Sequence, residues 1–144
     1  GTEIMEPMNR PTDHRGLEVL TSEECDRLLR EAPVGRVAFL HSGEPHILPV
    51  NYRYVEGSIV IRTAVGSKMD AAEMESRFAF EIDDWDPATR TGWSILAHGV
   101  ATVVTDEEEI ARLEESGLDP WIEGTAGDLW IRIILDDVTG RRIG

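Results

Sequence analysis

The feature that most constrains this chain is a change of hydrophobic period at Val34. Before it, apolar residues recur at helical spacing; after it, they alternate every second residue, as in strands with one buried face. Short turns that contain Gly43 and Gly57 interrupt the alternation. Two tight turns between alternating runs predict a meander of three antiparallel strands, at 34–40, 45–55 and 58–63.

Three further β-rich runs follow this meander. They predict strands at 78–82, 91–104 and 129–135. Gly99 interrupts the second of these runs and predicts a bulge or bend there. Between and after the runs, the polar segment 83–90 is predicted to be a loop and the charged segment 136–144 a tail.

Helices are few. Thr21 and Glu24 form a capping-box pattern ahead of apolar residues at helical spacing, which predicts a helix that Pro33 ends. Two more helices are predicted, one short and one acidic: 69–76 and 106–115. Thr105 or Asp106 would cap the acidic one. Six strands with so few helices predict one mainly β domain at 17–144, a small barrel or half-barrel, after a flexible N-terminal arm at 1–16.

Composition excludes several classes of protein. A chain of 144 residues fits one domain, and 41% hydrophobic residues can supply its core. The net charge of −14 repels nucleic acid and anionic membranes. No run approaches the roughly 20 apolar residues of a membrane helix, and the N-terminus carries no signal-peptide core. We therefore expect a cytoplasmic protein that binds neither nucleic acid nor membrane.

Thiol and imidazole groups are scarce and scattered. Cys25, the only cysteine, falls on the apolar face of the first predicted helix, where a free thiol usually behaves as a small buried hydrophobe. The four histidines show no ligand spacing: His14, His41, His46 and His98. The sequence therefore predicts neither a disulfide nor a metal site.

The segment 62–68 combines the groups that a phosphate attracts. Arg62 offers a planar fork and Lys68, the only lysine, a point charge; Thr63 and Ser67 add hydroxyls, and Gly66 lets the backbone approach closely. A predicted helix follows, and its first amides would face the same ligand. A phosphate site is one interpretation of this segment, and a polar turn with two surface cations is the other.

Two tryptophans and a pair of acids offer other candidate groups. Trp93 and Trp121 are placed to meet a flat ligand or a partner subunit, although filling the core is the usual role of tryptophan. Asp83 and Asp84 would suit acid–base work, but a solvated polar loop is the interpretation that we favour for them.

Several segments together resemble one known family. In order and spacing, 49–52, 61–68 and 92–99 resemble the pyridoxamine 5′-phosphate oxidase-like family of FMN-binding split barrels. Two phrases, ATRTGWS at 88–94 and VTGRR at 138–142, resemble short actinobacterial, hence bacterial, members of that family. The similarity runs from about Leu20 to Arg142.

The resemblance implies a fold, a cofactor and a set of site residues. The implied fold is mainly β, a six-stranded antiparallel split barrel with flanking helices, which forms a homodimer with two flavins at its interface. The second strand would lay its backbone along the flavin ring, and the loop after the third would hold the phosphate. The implied cofactor-binding residues are Pro49, Val50, Asn51, Tyr52, Arg62, Thr63, Ser67, Lys68, Trp93, Ser94 and Trp121, with Trp130 as a further candidate for an aromatic contact from the partner.

Departures from the family pattern shape the functional expectation. Ser94 stands where the true oxidases favour Gln, and Arg141 and Arg142 only loosely match their paired C-terminal arginines. We therefore expect an FMN-dependent oxidoreductase acting on an unknown small molecule rather than a vitamin B6 oxidase, with no catalytic acid or base assigned.

Two alternatives to that function stay open. One is a deazaflavin-dependent reductase, although the charge of −14 disfavours its anionic cofactor. Another is a non-enzymatic flavin-binding or storage protein. Haem is not expected, because it would need His46 or His98 as a ligand and strand histidines are more often structural.

Overall fold

The computed structural model describes residues 12, 16–64, 69, 76–118 and 128–144. Seven strands and two helices are present in this part of the chain. In chain order they are β1 (Glu18–Val19), α1 (Ser22–Glu31), β2 (Val34–His41), β3 (Glu44–Val55), β4 (Ser58–Ala64), β5 (Arg77–Asp86), β6 (Thr91–Val103), α2 (Glu107–Glu115) and β7 (Asp128–Ile143). Neither helix is long and apolar enough to cross a bilayer.

The strands close into a ring. Going round it, β7, β4, β3, β2, β5 and β6 pair in that order, and β6 pairs again with β7. Every pairing is antiparallel, and the short β1 is added to β7 beyond the ring. The contact between β2 and β5 extends over only three residue pairs, the shortest in the ring. The predicted mainly β, six-stranded antiparallel split barrel is therefore confirmed.

Two segments that were predicted to be irregular are strand. The predicted loop at 83–90 is wrong over its first half, because β5 continues to Asp86 and pairs with Thr91 across a short turn. The predicted tail at 136–144 is also wrong, because β7 continues to Ile143 beside β6. Much of the surface of both segments faces water. A strand in such a place can be formed by charged and polar residues, so the polar composition did not indicate a loop.

The predicted irregularity at Gly99 is confirmed. His98 pairs with Asp137 but Gly99 pairs with Leu135, so Asp136 is the extra residue of a β-bulge. A side chain at position 99 would overlap the backbone of Ile134 and Leu135, which explains the glycine.

Both helices begin where the capping patterns predict. At α1, the Glu24 amide donates to Thr21 Oγ1 at 3.1 Å and the Thr21 amide donates to Glu24 Oε1 at 2.9 Å. At α2, Asp106 is the cap, and it accepts from the Glu109 amide at 3.1 Å. Except for Met69 and Ser76, the predicted helix at 69–76 lies outside the described residues, as does most of the predicted arm.

Helix α1 closes the barrel near β7. Cys25 is 4% exposed, which confirms the buried thiol, and burial raises its pKa. A side chain at Gly140 would collide with Leu20 and Cys25, so this glycine permits the close approach of helix and strand. Inside the barrel, large side chains that are almost fully buried form the core: Val37, Ile59, Ile61, Phe78, Phe80, Ile82, Ile95, Ile131 and Ile133.

Candidate functional site

The register of the sheet brings several predicted site residues to one surface. Pro49 on β3 pairs with Arg36 on β2, Arg36 pairs with Glu81 on β5, and Glu81 pairs with Leu96 on β6. Directly opposed residues point to the same side of a sheet, so these four side chains form one row.

A second row lies beside the first. Asn51 on β3 pairs with Val34 on β2. Further round the sheet, Ser94 on β6 pairs with Asp83 on β5 and with Arg141 on β7. We call the surface that carries both rows the outer face. Its residues on β3, β2, β5 and β6 are Ile47, Pro49, Asn51, Arg36, Ala38, Ala79, Glu81, Asp83, Ser94 and Leu96. Of the predicted site residues, Pro49, Asn51 and Ser94 thus share one face.

Three other predicted residues point into the barrel. Val50, Tyr52 and Thr63 are 3%, 7% and 4% exposed. The Tyr52 hydroxyl donates to the Leu29 carbonyl at 2.6 Å, and its ring meets Phe80 edge-on. Burial raises the pKa of Tyr52 strongly, so it remains a neutral donor. These side chains fix the strands, and only their backbone can reach a ligand on the outer face.

Arg62 lies next to Asn51. Tyr52 pairs with Ile61, so Asn51 and Arg62 are the next residues along the two paired strands, both on the side away from the core. The Arg62 guanidinium lies 5.2 Å from the centre of the Trp130 ring, and its Nη1 donates to the Leu118 carbonyl at 3.3 Å. A cation is thus held where β3 and β4 run side by side. The rest of the predicted phosphate loop, Ser67 and Lys68, lies outside the described residues, as does Trp121.

The remaining tryptophans serve different purposes. Trp130 is 3% exposed and packs within its own chain, in a small cluster with Val60 and Leu118. Trp93 is partly buried against the barrel core and lines a cavity of about 350 Å³ with Asp84 and Arg142. A neighbouring cavity of about 300 Å³ adds Ser94 and Arg141 to the same end of the sheet.

Sequence reasoning missed a charged cluster in the middle of the outer face. Arg36 Nη1 lies 3.1 Å from Glu81 Oε1 and 3.4 Å from Asp83 Oδ2. Burial, followed by the hydrogen bond with Asp83, raises the pKa of Glu81 to about 7, while Arg36 acts in the opposite direction. The signal was present in the sequence: Glu81 and Asp83 continue the alternation of Phe78, Phe80 and Ile82, which places both acids on the opposite side of the strand.

The described residues contain no group of histidine, cysteine, aspartate or glutamate that could hold a metal ion. What the outer face provides instead is a pleated surface with apolar members, Ile47 and Pro49, a cation at each end, Arg62 and Arg141, and a mixed-charge centre. Such a surface suits a flat organic ligand that carries an anionic group.

Comparison with known proteins agrees with this fold and its motifs. A family model described as pyridoxamine 5′-phosphate oxidase matches residues 21–142. An uncharacterized protein of Mycobacterium tuberculosis is 38% identical over 138 residues, covering 92% of this chain and 90% of that protein.

Solved structures extend the comparison. The FAD binding protein from Mycobacterium smegmatis is 32% identical with a TM-score of 0.73, over 88% of this chain and 99% of that one. An FAD-binding protein from Mesorhizobium loti, with a TM-score of 0.74 over 89% and 99% of the two chains, is 22% identical and supports the fold alone. The predicted resemblance is confirmed: this chain belongs to the pyridoxamine 5′-phosphate oxidase family, with similar proteins in actinobacteria.

Proposed function

We propose that the protein binds a flavin nucleotide, FMN, and uses it in the redox chemistry of a small molecule. The observation that carries the proposal is the position of Asn51 on β3 beside Arg62 on β4. It sets a flat strand surface for a ring next to a cation for a phosphate. Family membership and the FAD-binding name of the 32% identical relative support a flavin as the occupant.

The residues present fit such a cofactor. The backbone of β3 at 49–52 is held in place by side chains that are anchored in the core, such as Val50 and Tyr52. Arg62 is oriented by Trp130 and by a 3.3 Å bond to a carbonyl, an arrangement that keeps a planar donor in place for an anion. Ser67 and Lys68 would complete the phosphate site. Ser94 and Trp93, with Trp121, would complete the ring site.

The role of the chain in this function is binding and orientation. A bound flavin supplies hydride transfer, and the protein supplies position, electrostatics and exclusion of water. Tyr52 stays neutral because it is buried and donates to Leu29, so it contributes rigidity rather than proton transfer. We also propose a homodimer in which the second subunit covers the exposed side of the ring.

FAD is a second candidate cofactor. The M. smegmatis relative binds FAD by its name and matches almost its whole length to this chain. A deazaflavin with an anionic tail suits a chain of charge −14 less well. A flavin-storage protein would use the same contacts without turnover.

Absorbance of the purified protein tests the proposal. The protein is incubated with FMN, FAD or a deazaflavin, and the excess is removed. With FMN we expect a flavin band at about 450 nm and roughly one flavin per subunit. Arg62→Ala with Lys68→Ala should weaken binding at least about tenfold, because two charge-assisted contacts are lost. Arg77→Ala, which removes an exposed arginine paired with Asp136, is the matched control and should bind normally.

The outcomes separate the candidates. If the protein retained FAD but not FMN, FAD would be the cofactor. A band at about 400 nm would indicate a deazaflavin. Full flavin content in the double variant would refute the phosphate assignment. Bound flavin that no donor or acceptor turns over would favour storage over an oxidoreductase.

A further inference from the structure

Helix α2 covers a part of the sheet that does not belong to the outer face. On the side of β4 and β7 away from the barrel core, Val60 and Trp130 pack with Leu118 and with residues of α2. Near the start of β4, just after the turn at Gly57, helix and sheet leave a cavity of about 550 Å³ between them. We call it the α2 cavity. Its volume is in the range of sites for small organic molecules.

The α2 cavity is separate from the proposed flavin site. Ser58, the first residue of β4, lines the cavity, whereas the predicted phosphate residues Ser67 and Lys68 follow the end of that strand. Ser58 and Arg62 are four residues apart, which is about 13 Å along a strand. Flavin binding therefore does not account for the groups around this cavity.

A buried hydroxyl faces the cavity. Ser58 is 7% exposed, and in the described part of the chain its side chain has no hydrogen-bond partner. Because Ile59 and Ile61 fill the barrel core, alternation places the Ser58 side chain on the other side of β4, towards α2. Buried hydroxyls are normally satisfied, by water or a ligand where the protein offers no partner. Ser58 thus provides one donor and one acceptor site to whatever fills the cavity.

Two of the charged side chains around the cavity are already paired. Glu109 on α2 is bound by both terminal nitrogens of Arg132 on β7. This hydrogen bonding lowers the pKa of Glu109 and raises the pKa of Arg132, so both groups stay ionised and their charges cancel. The pair forms one wall of the cavity and offers no net charge to a ligand.

Two further charged side chains at the cavity have no such partner. Arg112 lies one helical turn after Glu109 and thus on the same side of α2, and Glu56 lies in the turn before Ser58. Within the described residues, neither the Arg112 nor the Glu56 side chain forms an ion pair or a hydrogen bond. The cavity therefore presents one unpaired cation and one unpaired anion.

Apolar side chains complete the lining. Val55 is 42% exposed beside Glu56, and Leu113 follows Arg112 on α2. Together with the two unpaired charges and the hydroxyl, they match a small molecule that carries a carboxylate, an ammonium and an apolar chain. A multiply charged anion such as a phosphate ester matches less well, because the charges around the cavity cancel and the whole chain carries −14.

We propose that the α2 cavity binds a small zwitterion, an α-amino acid with an apolar side chain. Arg112 binds the carboxylate and Glu56 binds the ammonium. Ser58 donates a hydrogen bond to a carboxylate oxygen. Val55 and Leu113 contact the apolar chain. This site goes beyond the proposed flavin function and does not depend on it.

Isothermal titration calorimetry of the full chain with L-leucine tests the proposal. At pH 7 we expect about one leucine per subunit and a dissociation constant of about 1 mM or lower, which a ligand of this size can reach. Isoamylamine lacks the carboxylate and 4-methylpentanoate lacks the ammonium, so each should bind at least about tenfold more weakly. If leucine did not bind, the site would be refuted. If either analogue bound as tightly as leucine, a zwitterion would not be the ligand.

Two arginines in matching positions test where leucine binds. Arg112 and Arg30 are both exposed, and each lies in the last turn of its helix. Arg112→Gln should weaken leucine binding at least about tenfold, whereas Arg30→Gln on α1 should bind within about twofold of the wild type. Circular dichroism melts verify that both variants fold. Wild-type affinity in Arg112→Gln, or an equal loss in Arg30→Gln, would overturn the assignment to this cavity.

A change at Glu56 tests the choice of ligand. Glu56→Gln keeps the shape of the side chain and removes its charge, so the preference for leucine over 4-methylpentanoate should shrink at least about fivefold. Saturation-transfer NMR measures the weak binding of the acid. A preference that stays at the wild-type value would contradict the role of Glu56. Neither Arg112 nor Glu56 is a proposed flavin residue, so loss of leucine binding and loss of flavin binding are separate results.

Discussion

The two sides of strand β5 carry opposite kinds of side chain. On the inner side, Phe78, Phe80 and Ile82 are at most 1% exposed. On the outer side, Glu81 and Asp83 alternate with them, and both contact Arg36 on the next strand. A single strand, paired with β2 on one edge and β6 on the other, thus has one side on which volume restricts the residues and another on which charge does.

The difference shows where the fold is determined and where function can vary. The inner side must fill a closed barrel, so size and shape restrict each position. The outer side has to satisfy only the pleat and whatever covers it, so acids, alanine and arginine can all occur there. Pro49, Asn51 and Ser94, whose side chains we assign to ligand contacts, are accordingly on the outer face.

Truncation of the inner side should have the largest effect. Phe80 is fully buried, its ring stacks edge-on against Tyr52, and a side chain at Gly35 would overlap it. Phe80→Ala should lower the free energy of unfolding by about 3–5 kcal/mol, through lost burial and the cavity left behind. Urea unfolding at low protein concentration measures this without a contribution from self-association.

Leu96→Ala is the matched change on the outer side. Leu96 is 43% exposed and pairs with Glu81, one strand away from Phe80 in the same part of the sheet. The same experiment should show a loss of about 1 kcal/mol or less. Equal losses in the two variants would mean that the outer face is as tightly packed as the core, contrary to the comparison.

A single buried hydroxyl should give an intermediate effect. Tyr52→Phe removes the 2.6 Å bond to the Leu29 carbonyl, which ties α1 to β3, and leaves that acceptor in a site where water has little access. The expected loss is about 1–2 kcal/mol in urea unfolding.

Thr139→Val tests the outer counterpart of that bond. It removes an exposed hydroxyl that donates to the Leu96 carbonyl at 3.4 Å, and the expected loss is at most about 0.5 kcal/mol because water replaces the bond. If Thr139→Val cost as much as Tyr52→Phe, exposure would not govern the value of these hydrogen bonds.

The inner side was also the part of the fold that the sequence predicted best. The first three long strands were located to within one residue at each end, because alternation and the turns at Gly43 and Gly57 both mark them. The second halves of β5 and β7 were missed because both of their faces meet water or charge, so no apolar alternation marks them as strand. Their pairing with β6 depends on partners that are distant in sequence, which local patterns do not specify.

The candidate site divides in the same way. The sequence motifs predicted Pro49, Asn51 and Ser94 as site residues, but their common face depends on register through β2 and β5, which alternation alone leaves open. The cluster around Arg36 was missed because its three members come from two strands, and its acids were partly assigned to a loop. The roles of Ser67, Lys68 and Trp121 remain predictions.

Two carboxylates that each contact an arginine give the smallest and most diagnostic comparison. Glu109 on α2 is bound by both terminal nitrogens of Arg132, and this bond lowers its pKa below the usual 4.5. Glu81 also contacts an arginine, but burial and Asp83 outweigh it and raise its pKa to about 7. Ionised Glu109 therefore stabilises the fold above about pH 4.5, and this stabilisation is lost as the pH falls through the lowered pKa of Glu109 in the folded state. Glu81 has the opposite effect: the free energy of unfolding falls as the pH rises from 4.5 towards 7.

The matched variants should consequently diverge with pH. Glu109→Gln should lose about 1 kcal/mol or less at pH 7 and nothing near pH 3, because the pair is partly exposed and screened by solvent. Glu81→Gln should gain a similarly small amount relative to the wild type as the pH rises from about 4.5 to 7, because an amide avoids the cost of ionising in that place. Urea unfolding at four pH values, at low protein concentration, measures both slopes. If both substitutions changed the free energy of unfolding in the same direction as the pH rises, contact with an arginine alone would decide how a carboxylate affects stability in this protein. The raised pKa of Glu81 would then not distinguish the outer face from the rest of the surface.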